Sequence, residues 1–417
     1  MRHVKKRICA VCAVLCFGLL YLMKYWNFTA SALPSALGDK LPRWDFVVPM
    51  GLSYFIFQAV GYVIDVYRGK TDAQKNPLRY GLFVSFFPQM VQGPISRYDQ
   101  LAPQLTAERR LDWRDLKFSI QLCLWGYFKK LVIADRAAVL VNAVIKDNCP
   151  YGGAVIASGI LFYCIQLYCD FSGGIDITRG VARLFGIDMA ENFRRPIFAT
   201  SLTDYWRRWH ITLGIWFRDY LYIPLGGSRN GKRRLLLSLF VVWTLTGLWH
   251  GAAWNYVIWG GINGLYQVAG GITKPFRRRI QQKTGARTKT LSWRIGQVLT
   301  TFVLIDLSWI FFRANSLGDA MHLLSSLFRG WNTNIFFDGS LLKLGLDQTE
   351  WLVLLGALLI LLAVSLMQEK GVSVLEAVKR QQLWFRWLIY LAAIFVVLLT
   401  GIYGPGFAAS SFIYFQF

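Results

Sequence analysis

Charge is scarce in this chain. Only 17% of its 417 residues are charged, against roughly 25% in an ordinary soluble domain. Acids are scarcer still: 23 Asp and Glu stand against 46 Lys and Arg, a formal net charge of +23. No hydrophilic stretch is long enough for a separate soluble domain. No repeat of roughly 20–50 residues points to a solenoid, and no strand–turn–strand pattern is long enough for a barrel. There is no Gly-x-Ser-x-Gly elbow, no P-loop and no dinucleotide fingerprint, so those nucleophile and phosphate-cradling chemistries are excluded. Cysteine is sparse too, and all seven except Cys149 lie inside apolar runs. Cys9 and Cys12 have metal or redox spacing, but no second pair accompanies them. They read as small apolar residues of a helix, with no disulfide framework and no zinc site.

Apolar residues make up 55% of the chain and aromatics 16%, and mean hydropathy is +0.37. That exceeds what one aqueous core would bury, so the natural solvent is lipid. The basic residues fall between apolar runs, as in cytoplasmic loops. A nucleic-acid binder concentrates its charge on a soluble scaffold instead. The expected fold is all-α, a polytopic membrane protein of eight or nine transmembrane helices with short re-entrant and interfacial pieces, in one domain over residues 1–417.

Residues 8–23 follow the basic stretch Arg2, Lys5, Lys6 and Arg7. A signal peptide looks similar, but the apolar chain continues through Tyr25 and Trp26, so a retained span is expected. Residues 46–66 form a second span, ending in a basic loop. Residues 82–91 would be only about 15 Å long as a helix and are interrupted by Pro88, so a re-entrant or interfacial segment is expected. Residues 118–145 are apolar but carry Lys129, Lys130, Asp135 and Arg136. Another span covers 155–171 and ends at Asp170, Gly173 and Gly174. Residues 188–208, rich in arginine and tryptophan, suit an amphipathic helix at headgroup level. Asp170 and Asp176 are expected to pair with Arg179 and Arg183 within a helix bundle. Apolar arms at 235–249 and 252–272 flank His250, and a basic loop without any acid follows at 274–294. Three more spans cover 293–312, 351–367 and 384–403.

Four histidines are present. His3 is in the terminal tail and His322 in the polar loop after Phe312, and both suit solvated roles. His250, in Leu248-Trp249-His250-Gly251, sits where an upward arm meets a downward one, inside the membrane thickness. An ionisable side chain at that depth is a functional candidate. The plainer alternative is a neutral ring hydrogen-bonded between helices. Burial disfavours the imidazolium, so a neutral ring stands ready to take a proton from a hydroxyl. His210, in Tyr205-Trp206-Arg207-Arg208-Trp209-His210, is either part of an interfacial anchor or a second imidazole that orients substrate.

With these pieces goes a resemblance. The sequence resembles the membrane-bound O-acyltransferase family, and within it the bacterial branch that acetylates alginate and other exopolysaccharides. The matching segments run in family order. They are Phe87-Pro88-Gln89-Met90-Val91-Gln92-Gly93-Pro94-Ile95, Asp170-Phe171-Ser172-Gly173, Asn192-Phe193-Arg194-Arg195-Pro196, the two histidine segments above, and Tyr222-Ile223-Pro224-Leu225-Gly226-Gly227. The resemblance implies acyl transfer through a tunnel in the membrane, with His250 as catalytic general base and His210 in a supporting role. Asn255 and Trp254, just after His250, are candidate substrate contacts. No bound cofactor is implied; the donor is a cytoplasmic thioester, acetyl-CoA or an acyl carrier protein. Besides membrane lipid, the implied partner is an extracytoplasmic acetyltransferase or esterase-like enzyme, and no nucleic acid. The expected location is the inner, cytoplasmic membrane. Members of this branch usually begin with about two more helices, so the chain starts near their third.

The tail Phe412-Ile413-Tyr414-Phe415-Gln416-Phe417 is similar to the aromatic C-terminal motif of the small partner protein in lipoteichoic-acid D-alanylation. That likeness makes Tyr414 a candidate acyl relay; the alternative is an aromatic interfacial anchor. Two rival functions stand beside acetyl transfer: D-alanyl transfer to teichoic acid, and a transporter or flippase.

Overall fold

The computed structural model describes residues 2–110, 112–146, 149–229 and 231–403. Among them there is no strand, only an isolated antiparallel bridge between Phe193 and Trp209. The all-helical expectation holds. Five helices are long and apolar enough to cross a membrane: His3–Ala32, Gly153–Leu184, Leu291–Arg313, Gln348–Glu369 and Leu383–Thr400. The sequence-based count of eight or nine also included shorter, more polar or interrupted helices, which are present as helices.

The first span opens as α1 (Arg2–Leu20), loosens into a π turn (Tyr21–Tyr25) and runs on to Ala32. The second expected span begins later than position 46: α2 covers Leu52–Tyr67, and 42–49 have no regular structure. Its entry is Gly51, at φ +77°, pressed against the Met90 carbonyl so that no side chain fits. After two short helices, Pro77–Val84 and Tyr98–Thr106, come α3 (Trp113–Tyr127) and α4 (Asp135–Val144), joined by a π turn, Phe128–Ala134. They pack along α5 (Gly153–Leu184), which at 32 residues is about 48 Å long.

Glycine sets how closely these helices approach. A Cβ on Gly173 would stand 2.8 Å from the Gly126 carbonyl oxygen, so the two backbones almost touch. Gly173 and Gly174 therefore do not end the span, as the sequence suggested. The helix runs through them because a tight crossing, not a turn, needs the missing side chain.

Residues 188–208 also differ from expectation. Only α6 (Leu202–Arg208) is helical there; Pro196 opens a short 3-10 turn, and Arg195 before it has φ +49°. A residue preceding proline is biased away from the helical region, which breaks the expected amphipathic helix. After α7 (Ile211–Phe217) come α8 (Gly231–His250) and α9 (Trp254–Lys283), the most extensively packed helix pair. A Cβ on Gly247 would lie 3.0 Å from the Gly260 Cα, so this pair too is glycine-spaced. Further along come α10 (Leu291–Arg313), α11 (Leu317–Leu327), α12 (Gln348–Glu369) and α13 (Leu383–Thr400), with the short helix Val374–Lys379 between the last two. His322 is exposed on α11 rather than in a loop.

Two main apolar cores result. One joins α4, α5, α9, α10 and α11. The other joins α1, α2, α7 and the end of α8. Trp249 belongs to the second, Trp259 and Phe312 to the first. The two histidines singled out in the sequence lie at the seam.

Candidate active site

His250 is the last residue of α8 and is 7% exposed. The helix stops because Gly251 bends the chain, and a Cβ at 251 would collide with the Tyr256 ring. The imidazole meets three aromatic rings edge-on. Trp249, Trp259 and Phe312 lie at centroid distances of 4.9, 5.3 and 5.2 Å. Such a cage keeps water from the ring and fixes its plane.

His210 is 3% exposed and adopts a left-handed backbone, φ +45°. A non-glycine residue there is strained by about 1–3 kcal/mol and must be held by its surroundings. Asn192 is the clamp. Its Oδ1 lies 3.3 Å from His210 Nδ1 and accepts from the Thr212 N–H and hydroxyl at 2.9 and 3.0 Å. The Asn192 carbonyl accepts from Ile211 N–H at 3.0 Å, and Arg194 N–H donates to the Arg208 carbonyl at 2.8 Å. The Asn192 segment thus zips onto the His210 segment. The Thr212 hydroxyl also accepts from Ile95 N–H at 3.0 Å, drawing in the Phe87–Ile95 motif.

One ring is common to both histidines: Trp249 lies 4.9 Å from His250 and 6.3 Å from His210. Phe171, from the Asp170-Phe171-Ser172-Gly173 motif, packs edge-on against His210 at 4.8 Å. Residues far apart in sequence therefore converge here.

Other candidates fall differently. Asn255 is buried and donates to the Ala314 carbonyl at 2.9 Å, tying α9 to the end of α10. Trp254 is half exposed and packs on Phe28 at 5.4 Å. Tyr414 lies outside the described residues. Asp170 and Asp176 are paired, but chiefly with lysines the sequence reading did not connect to them. Lys130 reaches Asp170 at 2.5 Å and Asp135 at 2.8 Å, and Lys129 reaches Asp176 at 2.7 Å. Arg179 stands 3.8 Å from Asp176, while Arg183 pairs with Asp115 and Asp188. Among the described residues, no group of three or more His, Cys, Asp or Glu could hold a metal ion.

A cavity of about 360 Å³ adjoins this site, lined by Phe57, Gln58, Asp65, Arg97, Thr212 and Asp219 among others. Its inner wall touches the centre through Phe57, which stacks on Trp249 at 5.4 Å, and through Thr212. Its other end is ionic: Arg97 pairs with Asp219, and Tyr220 donates to Asp65 at 2.5 Å. Burial works against the Asp219 carboxylate, but Arg218 and Arg97 beside it hold its pKa below the usual value. Gln58 is 2% exposed, and neither polar atom of its side chain has a hydrogen-bond partner among the described residues. A buried amide left in that state costs about 1–3 kcal/mol, which a polar ligand in the cavity would offset.

Residues 72–311 match the MBOAT, membrane-bound O-acyltransferase family. The chain is 35% identical over 316 residues to a probable alginate O-acetylase AlgI of Pseudomonas syringae pv. tomato, covering 74% of this chain and 58% of that protein. It is 31% identical over 336 residues to a peptidoglycan O-acetyltransferase of Helicobacter pylori, covering 74% and 62%. To a teichoic acid D-alanyltransferase of Bacillus subtilis it is 29% identical over 253 residues, covering 58% and 62%. The matched regions span about three fifths of these relatives' lengths.

Proposed function

The chain belongs to the membrane-bound O-acyltransferase family, and from that membership we propose that it transfers an acyl group, acetyl, to hydroxyls of an exported polysaccharide. The donor is a thioester of coenzyme A or of a carrier protein, presented from the cytoplasm. The acceptor is reached directly or through an extracytoplasmic partner enzyme, and the protein resides in the cytoplasmic membrane. The observation that carries this is the convergence of His250 and His210 on Trp249, beside a cavity lined in part by ionic groups.

The chemistry balances with these groups alone. His250 accepts the proton of the acceptor hydroxyl as its oxygen attacks the thioester carbonyl. The new C–O bond forms, the C–S bond breaks, and the leaving thiolate takes up the proton. His210, locked by Asn192, orients the reacting carbonyl. The cavity receives the donor arm, and Gln58 hydrogen-bonds an amide of that arm.

The test is polymer-bound acetate in cells lacking the gene, complemented with wild type or with His250→Ala at equal membrane abundance. Wild type is expected to restore acetate and His250→Ala to leave it absent. Equal restoration would make His250 structural. No change on deletion would overturn acetyl transfer, and D-alanine esters would be assayed next, given the similarity to a D-alanyltransferase.

A further inference from the structure

The Lys24 ammonium lies inside the first span, on its π turn, and is turned toward α8 rather than toward lipid. Its Nζ donates to the carbonyl oxygens of Trp249 at 3.0 Å and His250 at 3.3 Å. The neighbouring Tyr25 hydroxyl donates to the same Trp249 carbonyl at 3.3 Å. Two helices thereby meet at one level. From Arg2 to Lys24 is about 33 Å of helix, and from Gly231 to His250 about 29 Å, at about 1.5 Å per residue; the first begins in the basic N-terminal stretch and the second in the basic segment 229–234.

A helix end leaves its last carbonyls without intrahelical donors. The common remedy is a left-handed glycine just beyond it, but Gly251 is not left-handed. Lys24 takes that place, and its charge also complements the negative end of the helix dipole. Among the described residues no carboxylate forms an ion pair with Lys24, so it is not half of a structural salt bridge. A lysine within an apolar span is costly, and the groups this half-buried one serves are the backbone of the proposed base and of the tryptophan shared by both histidines.

We infer that Lys24 is a positioning residue: it fixes the terminal turn of α8 and with it the imidazole of His250. This rests on His250 acting as the base. Lys24 sits within a π turn, Tyr21–Tyr25, a local widening of the helix of the kind that recurs at functional sites.

The experiment compares Lys24→Met, Lys24→Gln, Lys24→Arg and His250→Ala in the purified full chain, with kcat and KM for the thioester donor, melting temperature and monodispersity as readouts. The expected result is a tenfold or greater loss of kcat in both neutral variants, with donor KM within threefold and melting within a few degrees. Lys24→Arg, which keeps charge and donors, is expected to recover kcat to within threefold. Wild-type kcat in a folded neutral variant overturns the inference. So does failure of both neutral variants to fold, which would make Lys24 a folding residue. If His250→Ala is inactive while Lys24→Met is fully active, only this inference falls; if His250→Ala is active, the reading of the site falls with it.

Discussion

Lys130 and His250 are both ionisable and both buried in helices of a membrane protein, yet their neighbourhoods are opposite. Lys130 sits between Asp135 and Asp170, while Lys129 and Arg179 hold Asp176. Three carboxylates face three cations, and the glycine crossing of α3 and α5 is fastened around them. His250 instead meets the edges and faces of Trp249, Trp259 and Phe312. Compensated charge stabilises a fold only while every member is present, and removing one leaves a buried charge exposed to low dielectric. The imidazole of His250 is surrounded by aromatic edges, which desolvate it without fastening one helix to another by charge. Burial of an ionisable side chain marks both places as unusual; the company each keeps separates scaffold from chemistry.

Three substitutions would break or sharpen that contrast. The largest effect is expected at His250: replacing it with alanine should lower turnover about a thousandfold, within the range of general acid–base catalysis, with the melting temperature nearly unchanged. Steady-state acyl transfer on purified protein measures it. Next is Lys130→Met, which leaves Asp135 and Asp170 without their shared cation. A loss of about 3–5 kcal/mol of stability is expected, read as a lower denaturation midpoint in detergent. Adding Asp170→Asn should recover part of it. Smallest is Gln58→Leu, which removes one amide contact to the donor arm. KM for the donor should rise by up to about tenfold, the worth of one hydrogen bond, while kcat stays within twofold. An unchanged KM would remove Gln58 from the donor path.

Much of the site was legible in the sequence. Two histidines within or beside apolar segments stood out as candidates in the sequence; that they lie where two apolar cores meet is visible only in the fold. The family segments supplied Phe171 and Asn192 as neighbours to look for, though not the clamp that Asn192 forms. Other features were hidden for physical reasons. Asp170 and Asp176 seemed destined for arginines on their own helix, since nearby residues are the only visible partners in a string of letters. Their lysines come from a π turn some 40 residues earlier, and a π turn leaves no periodic signature. Gly173 read as a helix end, because a glycine for close packing and one for termination look alike. Lys24 was passed over as a single cation in an apolar run, and only the third dimension shows which carbonyls it serves.

The most direct test puts the two buried centres side by side: acyl-transfer turnover per folded molecule for His250→Ala and Lys130→Met, from the same preparation protocol, with the folded fraction measured on each. The account predicts that His250→Ala is folded and inactive, and that Lys130→Met is poorly folded but turns over near the wild-type rate per folded molecule. The opposite pattern, a folded and inactive Lys130→Met beside an active His250→Ala, would contradict it and move the chemistry to the charged cluster.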